Sequence, residues 1–187
     1  TYTALMLAKG LAGSSGRIAV IDTENNSAAL YADEFEFDVL NLDTFSPEVY
    51  VRAIQAAEAA GYDVLIIDSL SHAWAGKEGA LEQVDKAARR YQGNTYAAWR
   101  DVTPMHNALV DAMVRCKCHL IVTMRAKTEY VVEKDERTGK TTPRKVGLAP
   151  IQRDGLEYEF DIVADMDDNN FIVSKTRYKP LTGAVIN

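Results

Sequence analysis

The chain has 187 residues, 47% apolar and 26% charged, the make-up of a soluble domain large enough to bury one core. Its net charge of −6 excludes a protein that coats nucleic acid with its whole surface, so any such contact must be local. No apolar run approaches the roughly 20 residues that cross a bilayer and no signal peptide is evident, so one cytoplasmic domain over residues 1–187, with no membrane contact, is expected.

Thr1 to Ala12 is rich in helix formers and stops at Gly13-Ser-Ser-Gly16. Arg17 to Asp22 is short, branched and apolar on successive residues, the pattern of a strand buried on both faces of a parallel sheet. Phe37 to Leu42 is a second strand. Ser46-Pro47-Glu48 sets a cap, an N1 proline and an early acid ahead of a helix from Val49 to Ala60, which Gly61 closes. Val64 to Asp68 is the most hydrophobic strand and is expected at the centre of the sheet. Amphipathic helices from Ala80 to Arg90 and from Thr95 to Val114 flank the break Gln92-Gly93-Asn94. His119 to Thr123 reads as another buried strand. Cys116 and Cys118 fall in the same run as reduced thiols, too awkwardly spaced for a mutual disulfide. From Lys127 to Val146, two polar, β-rich arms surround Asp135 to Lys140, which predicts a protruding hairpin. Phe160 to Met166 and Asn170 to Lys175 form a last pair of strands. Strands alternating with helices, then an antiparallel end, predict an α/β three-layer sandwich with a mostly parallel central sheet.

Two of the apolar strands end in acids, Ile21-Asp22-Thr23-Glu24 and Ile67-Asp68-Ser69, and ligands of open α/β sheets gather at strand carboxyl ends. Leu65 to Ser69 looks like a Walker B strand, whose aspartate binds waters of a magnesium ion held against ATP phosphates. A strand-terminal aspartate also serves as an ordinary helix cap, so the neighbours decide. Thr1-Tyr-Thr-Ala-Leu5 matches the residues that come after the Gly-Lys of a phosphate-binding loop at the start of its helix, with Thr1 as the magnesium-binding hydroxyl. On that reading the loop and its strand lie immediately before Thr1. Cys116, Cys118 and His119 match no common zinc spacing, and Ser69 to His72 lacks the elbow that exposes a serine nucleophile. His72 and Trp74 are expected to pack beside the crevice.

Val20-Ile-Asp22-Thr-Glu24, Ile66-Ile-Asp68-Ser69 and Val173-Ser-Lys175-Thr-Arg177 come one after another in an order that resembles RecA-like P-loop ATPases over nearly the whole chain. Through Asp63 to Trp74 the chain is similar to phage-encoded, AAA-type ATP-binding proteins related to RecA-type single-strand annealing and recombination factors. The resemblance implies ATP and Mg as cofactors, with Thr1, Asp68 and Ser69 at the nucleotide and metal. It makes Glu24 the base that polarises the attacking water; the alternative is a first-turn acid beside a helix N-terminus. It makes Lys175 and Arg177 cations that reach a neighbouring subunit's ATP in a homo-oligomer, ring or filament, against a solvated strand end as the alternative. Between Arg125 and Arg153 stand eight basic and four acidic residues, in the place where RecA-like proteins carry a DNA-contacting loop. There Arg125, Lys127, Tyr130, Lys140, Arg144 and Lys145 are candidates for single-stranded DNA, or for an oligomer interface. Arg89 to Arg100, with Tyr96 and Trp99, is a second strip open to the same reading or to core packing. Thr123 and Met124 stand where RecA recombinases place an amide side chain, a departure that bears on strand exchange. The expected role is ATP hydrolysis in DNA recombination, annealing or repair; a packaging or helicase motor and a non-hydrolysing nucleotide scaffold are the rivals.

Overall fold

The computed structural model describes residues 1–134, 141–167 and 169–187, those at 129–134 and 141–148 by backbone alone. Its contacts separate into two compact units, Thr1–Gln152 and Arg153–Asn187, each treated by itself.

The first unit opens with helix α1 (Tyr2–Ala12), which ends at Gly13 with φ +66, a left-handed value that glycine adopts without a Cβ clash. Strand β1 (Ile18–Asp22) is next, then a 3-10 turn (Ser27–Tyr31), strand β2 (Asp38–Asn41) and helix α2 (Pro47–Ala59). Pro47 occupies N1 and Glu48 the first turn as the sequence predicts; Ser46 holds the N-cap position, yet its hydroxyl makes no capping bond. Strand β3 (Val64–Asp68), helix α3 (Ser71–Ala75) and helix α4 (Ala80–Ala88) continue the chain. Helix α5 (Thr95–Val114) is capped by Asn94, whose side chain accepts the Ala97 N–H at 3.0 Å. The unit ends with strands β4 (His119–Val122), β5 (Ala126–Lys134) and β6 (Thr141–Pro150).

Four parallel strands form the central sheet in the order β2-β1-β3-β4. Every residue of β1 and β3 is buried, because both are inner strands covered on both faces. Ile18, Val20, Val64 and Ile66 face α1 and pack against Ala4, Leu5 and Ala8. Successive strand residues alternate in direction, so Ala19, Ile21, Leu65 and Ile67 fill the opposite face. There α2 sends Tyr50 to the end of β3, and α5 packs along α2. Each fully buried Leu, Ile or Val stabilises the fold by roughly 1.5–3 kcal/mol.

β4, expected as a buried strand, is only half-buried with His119 exposed. It is the edge of the sheet among the described residues, so one side lacks a neighbour. The cysteines precede β4 in the turn after α5 instead of lying in the strand. Both are free thiols; Cys118 is buried and Cys116 half-buried. β5 and β6 pair antiparallel with a register shift at Glu129/Tyr130, as the predicted hairpin requires; residues 135–140 lie outside the described residues.

The second unit carries strands β7 (Ile162–Asp167) and β8 (Asn170–Thr176), antiparallel as expected, and a short β9 (Val185–Ile186) that the sequence did not announce. No described helix is long and apolar enough to cross a membrane.

Burial pushes the Cys118 thiol up to about 11, with Cys116 beside it adding to the shift. Alkylation of the native chain near pH 8 is therefore expected to label Cys116 first and to reach Cys118 only on unfolding, which peptide mass spectrometry resolves.

Candidate functional site

The parallel register places Asp22 opposite Asp68 and ends β1 and β3 level. The pairing runs on beyond the strands, with Thr23 N–H donating to Asp68 O at 2.8 Å and Leu70 N–H to Thr123 O at 2.9 Å. Asp22, Thr23, Asp68, Ser69 and Ser71 are all buried here, at one end of an otherwise apolar sheet. A buried polar group needs a partner, and each of these has one.

The two aspartates differ in what holds them. Asp22 accepts backbone N–H groups, from Glu24 at 2.7 Å and Ala28 at 2.9 Å, and so fixes the turn after β1. Asp68 accepts side-chain hydroxyls: Thr123 Oγ1 donates to Oδ1 at 2.6 Å, and Thr1 Oγ1 donates to Oδ2. Backbone amides are fixed in direction, whereas hydroxyls rotate, so Asp68 is the acid that can exchange its partners for a cation or its waters. Ser27 Oγ lies 3.3 Å from Thr1 Oγ1. The N-cap Thr1 makes no side-chain capping bond to α1.

Beyond Asp68, the peptide to Ser69 is cis. Ser69 N–H donates to Thr23 Oγ1 at 2.8 Å, which itself lies 2.7 Å from His72 Nδ1. Ser69 Oγ donates to Glu24 Oε1 at 2.8 Å. Arg125 grips the same carboxylate with a fork, Nε to Oε1 at 2.9 Å and Nη2 to Oε2. Burial acts to raise the Glu24 carboxyl, but the Arg125 guanidinium and the Ser69 hydroxyl outweigh it and hold the group below the usual carboxylate range. Burial pushes the Tyr50 phenol well up, which keeps it a neutral donor to Ser69 O at 3.3 Å. His72 stacks on Phe45 with ring centres 4.9 Å apart.

Thr1, Glu24, Asp68 and Ser69 are thus brought into one hydrogen-bonded cluster. Arg125, singled out for nucleic acid, joins it through Glu24. Thr23, Thr123 and His72 belong to it as well; the hydroxyl after each strand was the only local signal for the threonines. Lys127 is exposed on β5. Tyr130 pairs with Lys145 and Val131 with Arg144 in the β5–β6 register, but the side chains of Tyr130, Arg144 and Lys145, and Lys140 entirely, lie outside the described residues. Lys175 and Arg177 belong to the second unit, where Lys175 Nζ donates to Tyr158 O at 3.2 Å and to Phe160 O. Arg177 pairs with Asp161 at 2.9 Å and donates to Tyr158 O at 3.0 Å. In the Arg89 to Arg100 strip, Trp99 stacks on Trp74 with centres 5.5 Å apart, whereas Tyr96 is 88% exposed.

A hydroxyl and a carboxylate side by side are hard oxygen donors. Among the described residues no three His, Cys, Asp or Glu gather into a metal-holding group. The pair therefore suits an ion that keeps several waters and phosphate oxygens of its own, as magnesium does. A family model for an AAA domain matches residues 1–182.

The chain belongs to the AAA domain family.

No curated protein matches it. Membership points to a nucleotide-binding ATPase of the P-loop type, a class that generally uses ATP with magnesium, and the parallel four-stranded sheet flanked by helices is the fold such a domain requires. In this AAA domain the polar cluster stands at the carboxyl ends of the parallel strands, where that class of sheet binds its ligands.

Thr123→Val removes a donor from the buried Asp68 and is expected to destabilise the AAA domain by about 1–3 kcal/mol, while Thr123→Ser stays near wild type. Urea unfolding of both variants measures the difference; equal stabilities would show that the bond carries no weight.

Proposed function

We propose that this AAA domain hydrolyses ATP to ADP and phosphate, with Glu24 as the carboxylate that polarises the attacking water. The observation that carries the reading is the contrast at the ends of β1 and β3: Asp22 is tied to backbone amides, whereas the hydrogen bonds to the carboxylates of Asp68 and Glu24 among the described residues come from side chains that can let go. Thr1 and Asp68 would hold magnesium, Asp68 through water, and the ion would neutralise charge on the phosphates. The N–H groups at the start of α1 would suit a phosphate oxygen. Ser69 orients Glu24 through the 2.8 Å bond to Oε1 and stands beside the nucleotide. His72, 3.9 Å from Glu24 Oε1, adds positive charge there when protonated.

The cellular role we infer is DNA recombination, single-strand annealing or repair by a RecA-like, phage-type protein. It is supported by the resemblance and by the excess of basic residues from Arg125 to Arg153 in an acidic chain. Lys127, Tyr130, Lys140, Arg144 and Lys145 would neutralise or stack on a single strand. Lys175 and Arg177 would serve a neighbouring subunit's phosphates in a homo-oligomer, exchanging Asp161 and the carbonyls of Tyr158 and Phe160 for that charge.

In the full-length protein, Glu24→Gln is expected to lower kcat for ATP by about 10²–10⁴-fold with nucleotide binding retained. Phosphate release and equilibrium nucleotide binding test this together; equal turnover by the variant would remove the base.

A further inference from the structure

Asn41, Asp22 and Asp68 stand in one row across β2, β1 and β3, because the two parallel registers align them. The loop after β1 is tied back to this row. Asn41 Nδ2 donates to Asn26 Oδ1 at 3.2 Å, and Asp22 Oδ2 accepts the Ala28 N–H at 2.9 Å. Ser27, between Asn26 and Ala28, is thus held from both sides. Asn25 and Asn26 follow this path with φ of +56 and +62, left-handed values that cost energy in residues other than glycine and that asparagine tolerates better than most. A strained turn strapped at both ends fixes one side chain, the Ser27 hydroxyl.

Ser27 Oγ lies 3.3 Å from Thr1 Oγ1. The single Thr1 hydroxyl proton goes to Asp68 Oδ2, so Ser27 is the donor in this contact. The hydroxyls run as a chain, Ser27 to Thr1 to Asp68. Accepting from Ser27 leaves Thr1 a second lone pair for a cation. Thr1 is the only hydrogen-bond partner of the half-buried Ser27 hydroxyl among the described residues, so both lone pairs of Ser27 Oγ are left for a ligand. We propose that Ser27 is a third oxygen of the magnesium site, accepting a hydrogen bond from one of the ion's waters. The proposal rests on the reading of Thr1 and Asp68 as the magnesium pair. Water bound to magnesium is a strong hydrogen-bond donor, and the ion keeps several such waters. A neutral hydroxyl adds an acceptor there without adding charge. Beside Asp22, Glu24 and Asp68, one more carboxylate would repel the phosphates that the site is to take.

The test uses the full-length protein with ADP bound and manganese as the probe ion, an oxygen-seeking stand-in whose free signal in electron paramagnetic resonance reports binding. Ser27→Ala is expected to weaken manganese binding by about 10–100-fold, the usual cost of losing a group that orients an ion's ligands. Its affinity for ADP in excess chelator should stay that of wild type, which a merely structural role for the hydroxyl would not predict. Asp68→Asn serves as the control for the pair itself and should lose the ion. Manganese bound equally by Ser27→Ala and wild type, with Asp68→Asn defective, overturns the proposal and leaves the pair standing. Weakened ADP binding by Ser27→Ala in chelator overturns it too, because the hydroxyl then serves the nucleotide or the fold and not the ion. Undiminished manganese binding by Asp68→Asn removes the pair and the role of Ser27 with it.

Discussion

The register between β1 and β3 is the constraint on which the rest of the molecule depends. Parallel pairing puts Asp22 beside Asp68 and lets the chain leave both strands at one level, so Thr23 and Glu24 meet Ser69 some 45 residues on, and the β3–β4 register adds Thr123 at Asp68. A slip of one residue would turn Asp68 from α1 toward the opposite face and bring an isoleucine to Thr1. The apolar residues on both faces of both strands resist that slip. Hydrophobic burial thereby enforces the positions of polar groups that contribute little to holding the sheet together.

The inner strands and the long helices were legible because their signals are local. Continuous β-branched runs ending in an acid mark β1 and β3, and an amphipathic period after the break Gln92-Gly93-Asn94 marks α5 from its first residue to its last, despite Pro104 inside it. The half-burial of β4 was not legible, since an apolar run of four looks alike at the edge and in the middle of a sheet. Nor was the short α3, whose five residues span little more than one turn. The partner of Arg125 is 101 residues away, and a basic residue beside other basic residues reads as part of a patch until the fold supplies its carboxylate. The same holds for Thr123, whose value to the site comes from Asp68 on the neighbouring strand. Lys175 and Arg177 illustrate the converse, since a pair of cations near a strand end is visible in the sequence but its partners, carbonyls of Tyr158 and Phe160 and the Asp161 carboxylate, are not.

On the proposed reading, the cluster is a site for an anionic ligand in an acidic protein. Asp68 and Glu24 bring negative charge to the mouth of the sheet, which by itself repels phosphate. Arg125, the N–H groups at the start of α1 and the cation that the Thr1–Asp68 oxygens suit each offset part of it. Charge there is balanced locally, and the overall charge of −6 says little about what the crevice accepts.

The chain has two tryptophans, and they stack on each other, Trp74 in α3 against Trp99 in α5. α3 begins at Ser71, whose hydroxyl holds the Arg125 backbone. Tryptophan emission from this chain thus arises from one stacked pair, with Trp74 two residues after His72 of the polar cluster. The molecule carries its own optical probe of that corner, readable without a dye.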